Sequence, residues 1–158
     1  MTATVHLLHG LPGCGKTHFA RRLAAECRGV HLSHDEWVLR LFGPRPTGTQ
    51  IESVREPIHE MLWTCTARIV ATGTDVILDF GFWTRSDRDR VRERVRQAGA
   101  LPRLYTFDCS AQLAWERVQT RNSREPTDSL HVDEQAFWLF AGHIEPLMPD
   151  EDGILVPG

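Results

Sequence analysis

The sequence predicts an α/β fold, with helices covering both faces of a parallel sheet. Three observations carry that reading. Short apolar runs, partly β-branched, alternate along the chain with stretches of helical periodicity. The first of these runs passes directly into a glycine-rich turn and a helix. No internal repeat, low-complexity tract or long linker interrupts the alternation. With 158 residues, 41% apolar and 25% charged, the chain suits one soluble domain, residues 1–158, with a core of its own.

Taken in order, "TVHLLH" (Thr4–His9) reads as a buried strand, and a helix is expected from about Gly15 to Cys27. "VHLS" (Val30–Ser33) is a short second strand, followed by a helix over "EWVLRLF". Thr49-x-x-Glu52 has the form of a capping box, ahead of Ile51, Val54, Ile58, Met61 or Leu62, Cys65 and Ile69 at helical spacing. "TDVILDF" (Thr74–Phe80) is the clearest strand. Ser86-x-x-Asp89 is expected to start a helix whose inner stripe is Val91, Val95 and Ala98. "LPRLYTFD" supplies a fourth strand, "AQLAWERVQTR" a helix, and "DGILVPG" a short last strand.

Bulk properties exclude several classes of function. A formal charge of -3 gives no general attraction to nucleic acid or anionic lipid. No apolar run approaches the roughly 20 residues of a membrane span, and "MTATVHLLHG" lacks the basic start of a signal peptide. Cys14, Cys27, Cys65 and Cys109 show no paired spacing, so neither a disulfide framework nor a zinc knuckle is expected. A reducing, cytoplasmic setting follows. The eight histidines form no ligand pattern: His6 and His9 lie on a strand, and His31 and His34 straddle a strand end.

The chemistry begins at "GLPGCGKT" (Gly10–Thr17), which fits G-x-x-x-x-G-K-[ST] between a strand and a helix. Glycines let successive N–H groups turn inward as an anion nest, and the helix start adds its positive end. Lys16 is the only lysine among 18 basic residues; all the others are arginines. A compact ammonium on a flexible stem suits a place between β- and γ-phosphates that a planar guanidinium fork does not. Thr17 offers a hydroxyl to Mg²⁺.

In open parallel sheets, ligands bind beyond the carboxyl ends of the strands. Asp35 follows strand two and Asp79 closes strand three. Asp79 reads as a Mg²⁺-holding carboxylate or, alternatively, a helix cap. Asp35 reads as a base taking a proton from an attacking hydroxyl or, alternatively, an N-cap, with Glu36 the less favoured base. Arg117, Arg121 and Arg124 flank a polar stretch containing Pro126. They are expected either to clamp transferring phosphate from a lid or to end an exposed helix. "TRSDRDRVRERVRQ", with six arginines against three acids, reads as a solvated face, Arg85 alone being placed to meet an anionic substrate. Trp37, Phe42, Phe82 and Trp83 follow the two aspartates and divide between core and the wall of an acceptor pocket.

On these motifs the chain resembles the P-loop kinases, in particular small AAA-family proteins near chloramphenicol phosphotransferase, the zeta toxins and 5′-hydroxyl polynucleotide kinase. "GLPGCGKT", "SHDEW", "VILDFGFWTRSDRDRVR", "WERVQTRN" and "IEPLMPDEDGILV" carry the likeness over nearly the whole chain. The resemblance implies a five-stranded parallel sheet in order 2-3-1-4-5, a lid at about residues 122–131, and ATP and Mg²⁺ as cofactors. The nucleotide is expected to meet the loop at Gly10, Pro12, Gly13, Cys14 and Gly15, the first helical turn at Lys16, Thr17 and His18, and Arg117 and Arg121, one arginine of this end lying against the base and others on the γ-phosphoryl. Asp35 then corresponds to the base, Asp79 to the acid ending strand three and Arg121 to the catalytic lid arginine. Arg40, Arg85 and Arg124 are expected near the acceptor beside Asp35 and Asp79. Cys14 departs from the usual loop residue and places an oxidisable thiol beside the nucleotide. Phosphoryl transfer from ATP to a small hydroxyl-bearing molecule is the expected activity. A 5′-hydroxyl nucleic-acid kinase and an ATP-hydrolysing switch are the alternatives.

Overall fold

The computed structural model describes residues 1–158. Five strands, β1 (Thr4–His9), β2 (Val30–Ser33), β3 (Val76–Gly81), β4 (Leu101–Asp108) and β5 (Ile154–Pro157), form one sheet in the order β2-β3-β1-β4-β5. Every pairing is parallel. The connections hold α1 (Lys16–Cys27), α2 (His34–Phe42), α3 (Gly48–Val70), α4 (Arg85–Gln97), α5 (Ala111–Ser123) and α6 (Glu134–His143).

Alternation along the strands divides the core into two layers, as a sheet covered on both faces requires. Leu8, Ile77, Tyr105 and Phe107 pack with Ala20 of α1, Trp115 and Val118 of α5 and Phe137 of α6. Val5, Leu7, Val76, Leu78 and Leu104 turn the other way, onto Val70 of α3 and Val95 of α4. A third cluster, Val38, Ile58, Leu62 and Leu130, ties α2 and α3 to the segment after α5. No helix is long and apolar enough to cross a membrane.

Two helix starts differ from the sequence reading. The capping box of α3 is Thr47 with Gln50, the Gln50 N–H donating to Thr47 Oγ1 at 3.1 Å and the Thr47 N–H to Gln50 Oε1 at 2.8 Å. It satisfies the same pattern two residues earlier, and Glu52 pairs with Arg55 instead. Thr84, not Ser86, caps α4 by accepting from the Asp87 N–H at 3.1 Å. Asp89 is thereby left to bind Arg85 and Arg92.

The largest correction concerns α4. Its arginines do not form a uniformly solvated face: Arg88 and Arg92 are buried with Val95, while Val91 and Ala98 are only half-buried. Arg88 donates from Nε and Nη2 to the two Glu151 oxygens at 2.8 and 2.9 Å. Its Nη1 reaches the carbonyls of Phe82, Trp83 and Glu145. A fork with five donors can hold several carbonyls and a carboxylate at once, which is why an arginine fits here. Residues 145–151 are fastened by this network to the turn that follows β3.

Candidate active site

The loop between β1 and α1 is shaped by its glycines. Gly13 and Gly15 have φ of 86° and 91°, the left-handed region open to glycine. A Cβ on Gly13 would also run into the Ala114 carbonyl of α5. Gly15 is the N-cap of α1 and makes no side-chain cap, so the first-turn N–H groups remain available to an anion. The loop is braced from β3: the Gly10 N–H donates to the Gly81 carbonyl at 3.2 Å, and Trp83 Nε1 donates to the Gly10 carbonyl at 3.0 Å. Lys16 Nζ donates across the loop to the Leu11 carbonyl at 2.7 Å. Burial lowers its ammonium pKa, against the pull of Asp79 and Asp35. Cys14 is buried, and burial pushes its thiol up to about 11, which keeps it protonated and poorly reactive near neutral pH.

Asp79 is buried beneath Thr17. Its Oδ2 accepts from Thr17 Oγ1 at 2.7 Å and lies 3.2 Å from His31 Nε2. Burial works to raise this carboxyl, but the hydrogen bond from His31, the Lys16 charge and Thr17 outweigh it and hold it below its ordinary value. Asp79 is therefore an ionised group aimed at the α1 start and caps no helix, α4 being capped by Thr84. Asp35 does not cap α2 either: Ser33 does, accepting from the Glu36 N–H at 3.4 Å. The Asp35 carboxylate is 72% exposed, with His34 Nδ1 at 3.4 Å.

Thr17, His18, Asp35, Arg117, Arg121 and Arg124 line one cavity of about 940 Å³. Its floor is the start of α1, one wall is β2 with α2, and the other is α5 with residues 126–130. His31, Glu36 and Asp128 are among its other polar lining residues. Arg121 and Ser129 present unsatisfied polar atoms there, and Arg121 is the charged one. Its Nε is buried without a partner, and Nη2 reaches only the Leu130 carbonyl at 3.5 Å. Burial lowers its pKa, opposed by Asp35 and then Asp128. An orphaned buried donor carries a desolvation cost of about 1–3 kcal/mol, and more on a charged group such as a guanidinium, which a bound anion would relieve. The segment after α5 is anchored rather than free-standing: Leu130 is buried, Asn122 Nδ2 donates to the Val132 carbonyl at 2.7 Å, and the His131 N–H to the Pro44 carbonyl at 2.8 Å.

The loop residues Gly10, Pro12, Gly13, Cys14, Gly15 and Lys16, and Asp79 behind Thr17, are not part of this cavity's lining, and neither are two arginines expected near the acceptor. Arg85 is drawn off by Asp150, which it grips with Nη1 and Nη2 at 3.0 and 2.9 Å, and by Asp89 at 2.8 Å. Arg40 pairs with Glu36 one helical turn away, at 3.3 Å. Of the four aromatics, Trp83 braces the loop and packs on Phe140, Phe82 is buried, and Trp37 and Phe42 pack on the third core cluster. His9, read from the sequence only as a strand residue, has a structural part beside the loop. Its ring spans the end of β1, with Nδ1 2.9 Å from Thr106 Oγ1 and Nε2 3.0 Å from the Glu145 carbonyl.

A phosphate loop braced by its neighbouring strand, at the carboxyl edge of a parallel sheet in this order, defines a P-loop protein of the kinase-like fold. A family model described as an AAA domain matches residues 5–147, and the chain belongs to that family. Comparison with curated proteins gives no match. Among solved structures, a candidate kinase from Chloroflexus aurantiacus is 21% identical with a TM-score of 0.77, covering 99% of this chain and 89% of that one. Chaetomium thermophilum Kti12 in complex with ADP-AlF3 is 17% identical with a TM-score of 0.75, over 97% and 88% of the two chains. A gluconokinase from Sinorhizobium meliloti is 14% identical with a TM-score of 0.65, over 99% and 82%.

Proposed function

We propose that the protein transfers the γ-phosphoryl group of ATP to a hydroxyl of a small molecule. The observation that carries this reading is that Asp35 and Arg121 line the cavity into which Thr17 and the α1 start open. A switch that only hydrolyses nucleotide needs no carboxylate on the acceptor side.

In this reading the loop amides and Lys16 hold the β- and γ-phosphates, and His18, Arg117 and Arg124 border the nucleotide and acceptor. Thr17 and Asp79 offer two oxygen donors in contact, a set suited to a hard cation such as Mg²⁺. Bound there, the cation would neutralise charge on the phosphate oxygens. Asp35 accepts the acceptor hydroxyl's proton as its oxygen bonds to the γ-phosphorus. The bond from that phosphorus to the bridging β–γ oxygen breaks, and ADP departs. Arg121, with donors to spare, takes up charge on the equatorial oxygens. Residues 122–131 act as the lid that excludes water.

Asp35→Asn tests the assignment. Nucleotide binding is expected to persist while transfer falls by roughly 10²–10⁴-fold. A panel of hydroxyl compounds, read by the mass of phosphorylated product, identifies the acceptor. Product on the 5′ end of an oligonucleotide, but on no small molecule, would move the reading to a nucleic-acid kinase. Unchanged turnover in Asp35→Asn would remove Asp35 as the base.

A further inference from the structure

At the opposite end of the sheet from the phosphate loop, three side chains meet that no sequence spacing connects. His6 comes from β1, Cys27 from the last turn of α1 and Asp75 from the residue before β3. A ring nitrogen, the sulfur and a carboxylate oxygen all lie within 4.8 Å of one another. His6 is 4% exposed, and its Nε2 is buried without a hydrogen-bond partner. The nearest carboxylate oxygen, Asp75 Oδ2, is 3.6 Å away, too far for a hydrogen bond. Metal bonds of about 2.0–2.2 Å in a tetrahedron place nitrogen and oxygen ligands roughly 3.4 Å apart. The 3.6 Å separation is close to the spacing that a shared cation would need.

The surroundings aim these atoms inward. His6 Nδ1 lies 3.0 Å from the Tyr105 hydroxyl, an outer partner of the kind that holds a ligating imidazole in place. Asp75 Oδ1 accepts the Thr4 N–H at 2.7 Å, which leaves Oδ2 for the cluster. Cys27 is half-buried and the Asp75 side chain 26% exposed, so the cluster can be reached from solvent. Arg103 is the neighbouring cation, and a thiolate with a carboxylate outweighs it.

We propose that His6, Cys27 and Asp75 form a binding site for a divalent transition metal of the zinc class, separate from the nucleotide cavity. Imidazole with thiolate selects such an ion over Mg²⁺ or Ca²⁺, which favour all-oxygen sites. Binding displaces the thiol proton to solvent and joins β1, α1 and β3. Those are the elements whose far ends carry the phosphate loop and Asp79.

The test is titration of the chelator-stripped full-length protein with Co²⁺ and then Zn²⁺. One equivalent of Co²⁺ is expected to give thiolate-to-cobalt charge-transfer absorption, which Zn²⁺ removes while raising the melting midpoint. Zn²⁺ should slow alkylation of Cys27 but not of Cys65, a readout that needs no variant. Cys27→Ser should lose the absorption and weaken zinc binding by more than about 100-fold, and Tyr105→Phe by about 10-fold. Nucleotide binding should be the same in Cys27→Ser as in the parent. If Cys27→Ser does not fold, Asp75→Asn keeps the acceptor for Thr4 and should still weaken zinc binding by about 10-fold or more. No charge-transfer band at one equivalent, or Cys27 alkylation indifferent to zinc, would overturn the site.

Discussion

Arg88 and Arg121 both turn inward from a helix, yet their surroundings are opposite. Every nitrogen of Arg88 has an acceptor, and a buried glutamate neutralises it. Arg121 faces a cavity, with one nitrogen orphaned and another at the limit of a hydrogen bond. A saturated guanidinium has nothing left to offer a ligand and serves to hold chain segments together. An unsaturated one lining a cavity keeps donors free, which the proposed transfer would use. The same side chain is thus saturated in one place and open in the other, and the difference lies in how many acceptors the fold supplies.

The widest separation between the two should come from replacing each. Arg121→Ala is expected to cut phosphoryl transfer by about 10³–10⁵-fold while leaving the thermal midpoint close to the parent's. A comparable loss of stability in that variant would make Arg121 a second clamp. Arg88→Met should behave in the converse way. It removes one of the two guanidinium partners of buried Glu151, leaving Arg92 Nη2 at 2.8 Å, and is expected to cost about 3 kcal/mol in denaturant unfolding, the low end for breaking a buried pair.

Acid should separate them next. Glu151 is held down at about 2, first by the Arg88 hydrogen bonds, from an ordinary 4.5. Its folded pKa lies below the unfolded one, so its contribution is present above about 4.5 and is lost as pH falls toward about 2. His9 and His59, pushed down to about 4 chiefly by burial, act earlier. The unfolded chain takes up their protons first, so stability should begin to fall below pH 6.5. Unfolding across this range should show both windows in the parent, with the lower one diminished in Arg88→Met. The smallest effect is expected at Arg85, whose partners are exposed: Arg85→Ala should leave kcat/KM unchanged and the melting midpoint nearly so. A large rise in KM there would bring Arg85 back to the acceptor.

What could be read in advance follows the range of each interaction. The phosphate loop was legible because its parts are adjacent: strand, glycines, lysine and helix start occupy one continuous stretch. The strand positions of β1, β2 and β4 were legible for the same reason. Helix starts were less so, since Thr47 with Gln50 and Thr49 with Glu52 satisfy one local pattern equally. The arginines of α4 were misread because periodicity counts Arg as outward-facing. The stripe that turns in is Arg88, Arg92 and Val95, and its reason, Glu151, lies 63 residues from Arg88. The same limit explains Arg85, whose partner Asp150 is 65 residues away.

By itself, then, the sequence determined the alternation of strands and helices and the anion-binding turn. Both depend on side chains within a few residues of each other. Only the tertiary structure decided which arginines are saturated, which carboxylate backs Thr17, and that His6, Cys27 and Asp75 converge. Each of those depends on groups brought within a few ångströms from separate elements, and desolvation on burial then sets how strongly they act on one another.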